Sequence, residues 1–207
     1  MAGTISDVKP AFISDEVAAD PNGFSVSAQV GENAALVLGG ALASGGAVTL
    51  GSARTVVITS GSDDSGISFN VVGTDLDGVS LTENITGGSS TTSTGTKFFK
   101  TIVSITAVGD PAGTVIAGTT ASAADIIFGG RTRLKGYSIV SGGTAGVIQF
   151  VNGEPNGGGT TLFKARTLGT DNTTIDNTIP QNGVLFEDGM YVKYTIATTD
   201  MMTFFFA

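Results

Sequence analysis

Apolar and polar positions alternate along most of the chain with a period of two, the mark of half-buried β-strands. Ile67 to Thr74 alternates in this way, and so does Val79 to Ile85. Between them Asp75-Leu76-Asp77-Gly78 ends in an Asp-Gly pair, a hairpin signal. Ala47 to Leu50 and Arg54 to Thr59 predict strands ahead of this hairpin, and Lys97 to Val108 and Thr114 to Gly118 predict strands after it. A second series follows: Arg133 to Val140, Gly146 to Val151, Thr160 to Thr167, Gly183 to Phe186, Tyr191 to Ile196 and Met201 to Phe206. No long stretch repeats its apolar residues every 3.6 positions, so almost no helix is expected.

The pattern therefore predicts an all-β protein: two tandem antiparallel β-sandwich domains with an extended N-terminal arm. The arm is expected over residues 1–33, where Pro10 and Pro21 bracket a stretch without sustained periodicity. It reads either as a frayed terminus or as an arm that orders against a neighbouring subunit. The first sandwich is expected over 34–120 and the second over 126–207, joined by a small polar linker at 121–125. The halves share no obvious repeat.

Composition narrows the chemistry. The chain has 207 residues, with no Cys, no His and no Trp. This excludes a Ser-His-Asp triad, a thiolate nucleophile, a histidine base and a Cys/His zinc site. It also excludes a disulfide framework, so no oxidising compartment is required. Glycine supplies 31 residues and charged residues only 14%, which suits tight turns and close packing. The net charge of −8 makes nucleic-acid binding unexpected, because phosphate contacts need clustered bases. No basic segment precedes an apolar run as in a secretory leader, and 33–53 is too rich in Gly and Ser to predict a membrane span.

The acidic residues suggest three sites and support none. Asp75 and Asp77 form a D-x-D-G fragment of the kind that can ligate calcium, yet lack the downstream Glu of a calcium loop, and a hairpin turn accounts for them. Asp63-Asp64 reads as a pair of solvated turn residues. Glu83, Glu154 and Glu187 could supply a carboxylate pair for glycoside hydrolysis, but the aromatic platforms usual in sugar sites are missing. Gly157-Gly158-Gly159 lacks the Gly-Lys-Ser/Thr ending of a phosphate loop. The expectation is a non-enzyme with no cofactor and no metal.

Two groups remain as candidate interface residues. Arg131, Arg133 and Lys135 are the one basic cluster, either an exposed strand end or an ion-pairing contact with an acidic neighbour. Phe204, Phe205 and Phe206 form a terminal strand whose neighbours point oppositely, so that both faces need cover.

Arg54 to Thr59, Ser65 to Phe69, Gly73-Thr74-Asp75-Leu76-Asp77-Gly78, Leu81-Thr82-Glu83 and Lys97-Phe98-Phe99-Lys100-Thr101-Ile102 together resemble a module of tailed-phage virion proteins. Arg133 to Gly136, Gly142 to Phe150 and Gly183 to Val192 are similar to small structural proteins of marine and cyanobacterial phages. The resemblance covers most residues after 50 and rests on turn and strand residues, with no catalytic residues to carry over. It implies a virion structural protein assembled in the host cytoplasm. The first expectation is a capsid decoration (cement) protein on the capsid surface, bound to the major capsid protein or other virion proteins. The alternative is a head, neck or tail accessory or fibre protein acting in host adhesion or carbohydrate binding. A homo-trimer follows from the same analogy, with neither nucleic acid nor membrane as partner.

Overall fold

The computed structural model describes residues 7–13 and 18–207. The protein is all-β, 62% strand and 3% helical, and its strand pairings are antiparallel. The chain divides into two compact units, one formed by Ala18–Ala123 and the other by Ala124–Ala207 together with the residues before 18. The first strand, β1 (Lys9–Ile13), belongs to the latter unit.

The Ala18–Ala123 unit opens with β2 (Ser25–Gln29), β3 (Ala43–Ser44) and β4 (Ala47–Ser60). It continues with β5 (Ser68–Thr74), β6 (Ser80–Thr86), β7 (Thr92–Thr94) and β8 (Phe99–Val108), and enters β9 (Thr114–Phe128). The strands lie in the order β9-β4-β8-β5-β6, with β2 on β9 and both β3 and β7 on β4. The alternation of β5 turns Phe69 and Val71 into the core and leaves their neighbours half-exposed. Phe24, Ile58, Phe69, Phe99, Ile102 and Ile105 are fully buried in one cluster. Gly73 lies where β5 and β8 shift register, and a Cβ there would stand 1.8 Å from the Thr101 carbonyl oxygen, an approach only glycine permits.

The second unit contains β10 (Thr132–Gly142), β11 (Gly146–Asn152), β12 (Thr160–Thr167) and β13 (Asp171–Thr178). It ends with β14 (Val184–Phe186), β15 (Met190–Thr195) and β16 (Thr199–Phe206). Here β1, β16, β10 and β13 form a sheet in that order, with β14 also pairing β10. A second layer runs β12-β11-β15. Its core is aromatic: Phe150 meets Phe204 edge-on at 5.3 Å and Tyr137 at 5.9 Å, and Phe163 lies 5.5 Å from Phe150.

Three expectations are corrected. The two units divide between Ala123 and Ala124, within the expected 121–125 stretch, but that stretch is the interior of β9 and not a linker; Ala123 and Ala124 are fully buried and small side chains allow close packing. The described part of the 1–33 segment is extended, yet it pairs within the chain. Lys9 to Ile13 lie opposite Phe206 to Met202, and Ser25 to Gln29 pair with β9. The arm thus finds backbone partners without a neighbouring subunit; residues 1–6 and 14–17 lie outside the described part. Finally, the polar run Asp171–Thr178, not expected as a strand, is β13.

Candidate functional site

The basic cluster and the phenylalanine run meet in the second unit. Arg131 precedes β10, and its Nε donates to the Glu187 carboxylate at 2.6 Å in an ion pair with both side chains more than half exposed. Along β10 the buried Thr132 and Leu134 alternate with half-exposed Arg133 and Lys135, so both bases lie on the outer face of the sheet. The Arg133 guanidinium donates to the Asn182 carbonyl at 3.4 Å and the Lys135 ammonium to that of Gln181 at 3.5 Å. Gln181 and Gly183 adopt left-handed φ in this turn between β13 and β14. The two bases thus lie over carbonyls of one turn, and among the described residues Arg131 is the one of the three that forms an ion pair.

Phe204 and Phe206 point inward and are buried, Phe204 on Phe150 and Phe206 on Phe128 at 5.5 Å. Phe205 points outward and stays 38% exposed. Two of the three rings are therefore covered within the chain itself. Phe206, Phe128, Arg131, Thr132 and Lys9 line a cavity of about 330 Å³. The sequence singled out Arg131 and Phe206 separately; nothing in it pointed to Lys9 or Phe128 beside them.

Most of the acidic candidates hold turns or loops. The Asp75 carboxylate accepts from the Asp77 and Val79 amides at 3.0 and 2.8 Å, closing the hairpin between β5 and β6. Asp63 accepts from the Ser65 hydroxyl and amide, which lower its pKa below the ordinary carboxylate range. Asp64, expected to be solvated, is 2% exposed. Its amide donates to Gly88 O and its Oδ1 accepts from the Ala112 amide at 2.8 Å, so two other loops fold over it. Its Oδ2 is the one buried side-chain oxygen without a hydrogen-bond partner among the described residues.

Glu83 Oε1 accepts from the amide and hydroxyl of Thr96 at 2.7 and 2.9 Å, and the groove beside it, about 440 Å³, is lined by Ser, Thr and Asn together with Ile85 and Gly95. Glu154 caps the short 3₁₀ turn Pro155–Gly157 through the Gly157 amide at 2.7 Å. Glu187 is committed to Arg131. These three glutamates sit on separate elements, and no group of three or more acidic side chains that could hold a metal ion occurs among the described residues. Gly157-Gly158-Gly159 follows that 3₁₀ turn into β12 and opens no helix.

No helix among the described residues is long and apolar enough to cross a membrane. The fold places the chain in the all-β class. Comparison with protein-family models, with curated proteins and with solved structures found no match in any of the three.

Proposed function

We propose that this chain is a non-enzymatic structural protein of a tailed-phage virion, a decoration protein that binds the head shell through contacts with the major capsid protein. The observation that carries the reading is the employment of its candidate acids. Asp63, Asp75, Glu83 and Glu154 hold backbone amides in turns and Glu187 holds Arg131. Side chains committed in this way build a rigid scaffold rather than a reaction centre. The resemblance of 54–102 and 133–192 to virion proteins supplies the biological setting, and a cysteine-free body suits assembly in a reducing cytoplasm.

The test is occupancy. Purified protein is mixed with empty heads of the parent particle, and bound copies are counted by quantitative mass spectrometry. Saturation at a fixed ratio to the major capsid protein is expected. Absence from the particle refutes the virion reading. A few copies at a vertex or tail overturn decoration in favour of an adhesion protein, for which the hydroxyl-lined groove beside Glu83 is the place to seek a glycan.

A further inference from the structure

An asparagine followed by glycine is prone to lose its side-chain amide, because glycine has no Cβ to keep its backbone nitrogen away from the preceding side chain. The chain holds four such pairs: Asn22-Gly23, Asn152-Gly153, Asn156-Gly157 and Asn182-Gly183. Three are held fast. Asn152 Nδ2 donates to Asp188 Oδ2 and its Oδ1 accepts from the Asp188 amide, both at 2.9 Å, while the Gly153 amide donates to the Gly189 carbonyl at 3.1 Å. Asn156 Nδ2 donates to Glu154 Oε1 at 3.0 Å, and the Gly157 amide donates to Glu154 Oε2 at 2.7 Å. The peptide joining Asn22 to Gly23 is packed: a Cβ on Gly40 would stand 2.6 Å from its carbonyl oxygen, Gly23 is buried, and the Gly23 amide donates to the Asp20 carbonyl at 3.1 Å. Asn182-Gly183, in the turn between β13 and β14, differs on each count. Asn182 is exposed, and its side chain has no hydrogen bond among the described residues. The Gly183 amide reaches the Pro180 carbonyl only at 3.3 Å, beyond the usual range of about 2.7–3.2 Å. The carbonyl oxygen of the peptide that joins this pair is the one to which Arg133 donates, at 3.4 Å.

We infer that Asn182 is a self-deamidating site promoted by Arg133. Water or hydroxide removes the Gly183 amide proton, and the resulting negative charge is shared between that nitrogen and the Asn182 carbonyl oxygen. A guanidinium, charged at every physiological pH, lies on that oxygen and favours the ionised peptide, as a fixed donor favours an oxyanion. The Gly183 nitrogen then forms a bond to Asn182 Cγ. The Cγ–Nδ2 bond breaks, and Nδ2 takes up a proton and leaves as ammonia. Water opens the cyclic imide at either carbonyl carbon, giving an aspartate or an isoaspartate whose backbone runs through the side chain. Nothing is oxidised or reduced, and water is the co-reactant. Either product places a carboxylate in the turn over which Arg133 and Lys135 lie, so the basic cluster loses net charge as the protein ages. The isoaspartate also lengthens by one carbon a turn in which Gly183 sits at φ +73° with no room for a Cβ against the Leu134 carbonyl. Its formation therefore loosens β14 from β10, where Leu134 pairs with Val184.

Peptide mapping by mass spectrometry of the full chain, incubated in mildly alkaline buffer, tests this. In the native protein Asn182 should convert about ten-fold or more faster than Asn22, Asn152 or Asn156. In urea the four rates should converge, because unfolding removes the contacts that hold three of them back. Arg133→Gln should slow Asn182 about ten-fold, the rate factor of a charge-assisted hydrogen bond, and leave the other three pairs unchanged; Arg133→Lys should restore part of the rate. Methyl transfer by an isoaspartyl methyltransferase should report isoaspartate in aged protein and none in Asn182→Gln. Conversion led by another pair, an Asn182 that stays intact, the same ranking in urea as in the native state, or a rate at Asn182 indifferent to Arg133→Gln would overturn the inference. The ranking of the four pairs in the unaltered chain, native against urea, decides the matter if Arg133→Gln does not fold.

Discussion

The two edges of the sheet β1-β16-β10-β13 solve one problem in different ways. At one edge β13 is almost wholly polar, and only Thr173 and Ile175 are even half-buried. Asp171 and Asp176 discourage a further strand there, as charges on an edge do. At the other edge β1 carries Lys9 and Pro10 and buries Ile13, yet exposes Phe12. Proline removes a ladder donor and lysine resists a strand in register, so both edges are blunted against edge-to-edge growth. The difference lies on the face: polar beside β13, apolar beside β1. An edge can thus be closed by composition while the adjoining face keeps apolar side chains exposed.

Substitutions can break or sharpen this contrast. The largest effect is expected between the edges, at Phe204→Ala, which removes a fully buried ring from Phe150. It should cost about 3–5 kcal/mol, read by urea denaturation. Next is Gly183→Ala, in the turn that links β13 to β14. A Cβ there meets the Leu134 carbonyl oxygen at 2.2 Å and φ is +73°, so destabilisation above about 1 kcal/mol is expected. A paired test follows at the edges themselves. Ile13→Ala on β1 should cost about 2–3 kcal/mol and Ile175→Ala on β13 only about 1 kcal/mol, since the first side chain is buried and the second half-exposed. Equal losses would show that both edges rest on the core alike. The smallest effect is at Arg131→Ala. Its exposed ion pair with Glu187 should contribute no more than about 0.5 kcal/mol, less in high salt, by thermal unfolding.

The same contrast shows what could be read from the sequence. Ser68–Thr74 was legible because its alternation is its burial pattern, residue by residue. Met201 to Phe206 has no such alternation of residue types and was legible as a strand only from its run of apolar residues; the opposite pointing of adjacent rings separated Phe205 from Phe204 and Phe206, but the cover expected on both faces is present on one. The strand Asp171–Thr178 was not legible, because its one strongly apolar residue, Ile175, gives no period. Its place is set by β10 alongside, whose Ile139 faces Ile175. Residues 121–125 looked like a linker because Ala and Ser signal equally a flexible joint and a crowded strand. The acidic turns at Asp75 and Asp63 declared themselves through neighbouring Gly and Ser. The burial of Asp64 did not, since Gly88 and Ala112 come from loops distant in sequence. The cavity joining Lys9 to Phe206 depends on strands from far ends of the chain, which no local pattern reports.

That last pairing has a consequence in time. As the ribosome delivers the chain, β1 emerges before every other described strand and β16 after them. The unit spanning Ala18–Ala123 has all its residues in hand while the other still waits for the strand that joins its first element to β10. Until Met201 to Phe206 leave the exit tunnel, Phe150 lacks its edge-on partner and β10 has no neighbour on that side. Translation arrested a few residues short of β16 should therefore release a half-folded product whose open sheet invites aggregation or proteolysis. Emergence of β16 itself becomes the checkpoint for this half of the molecule.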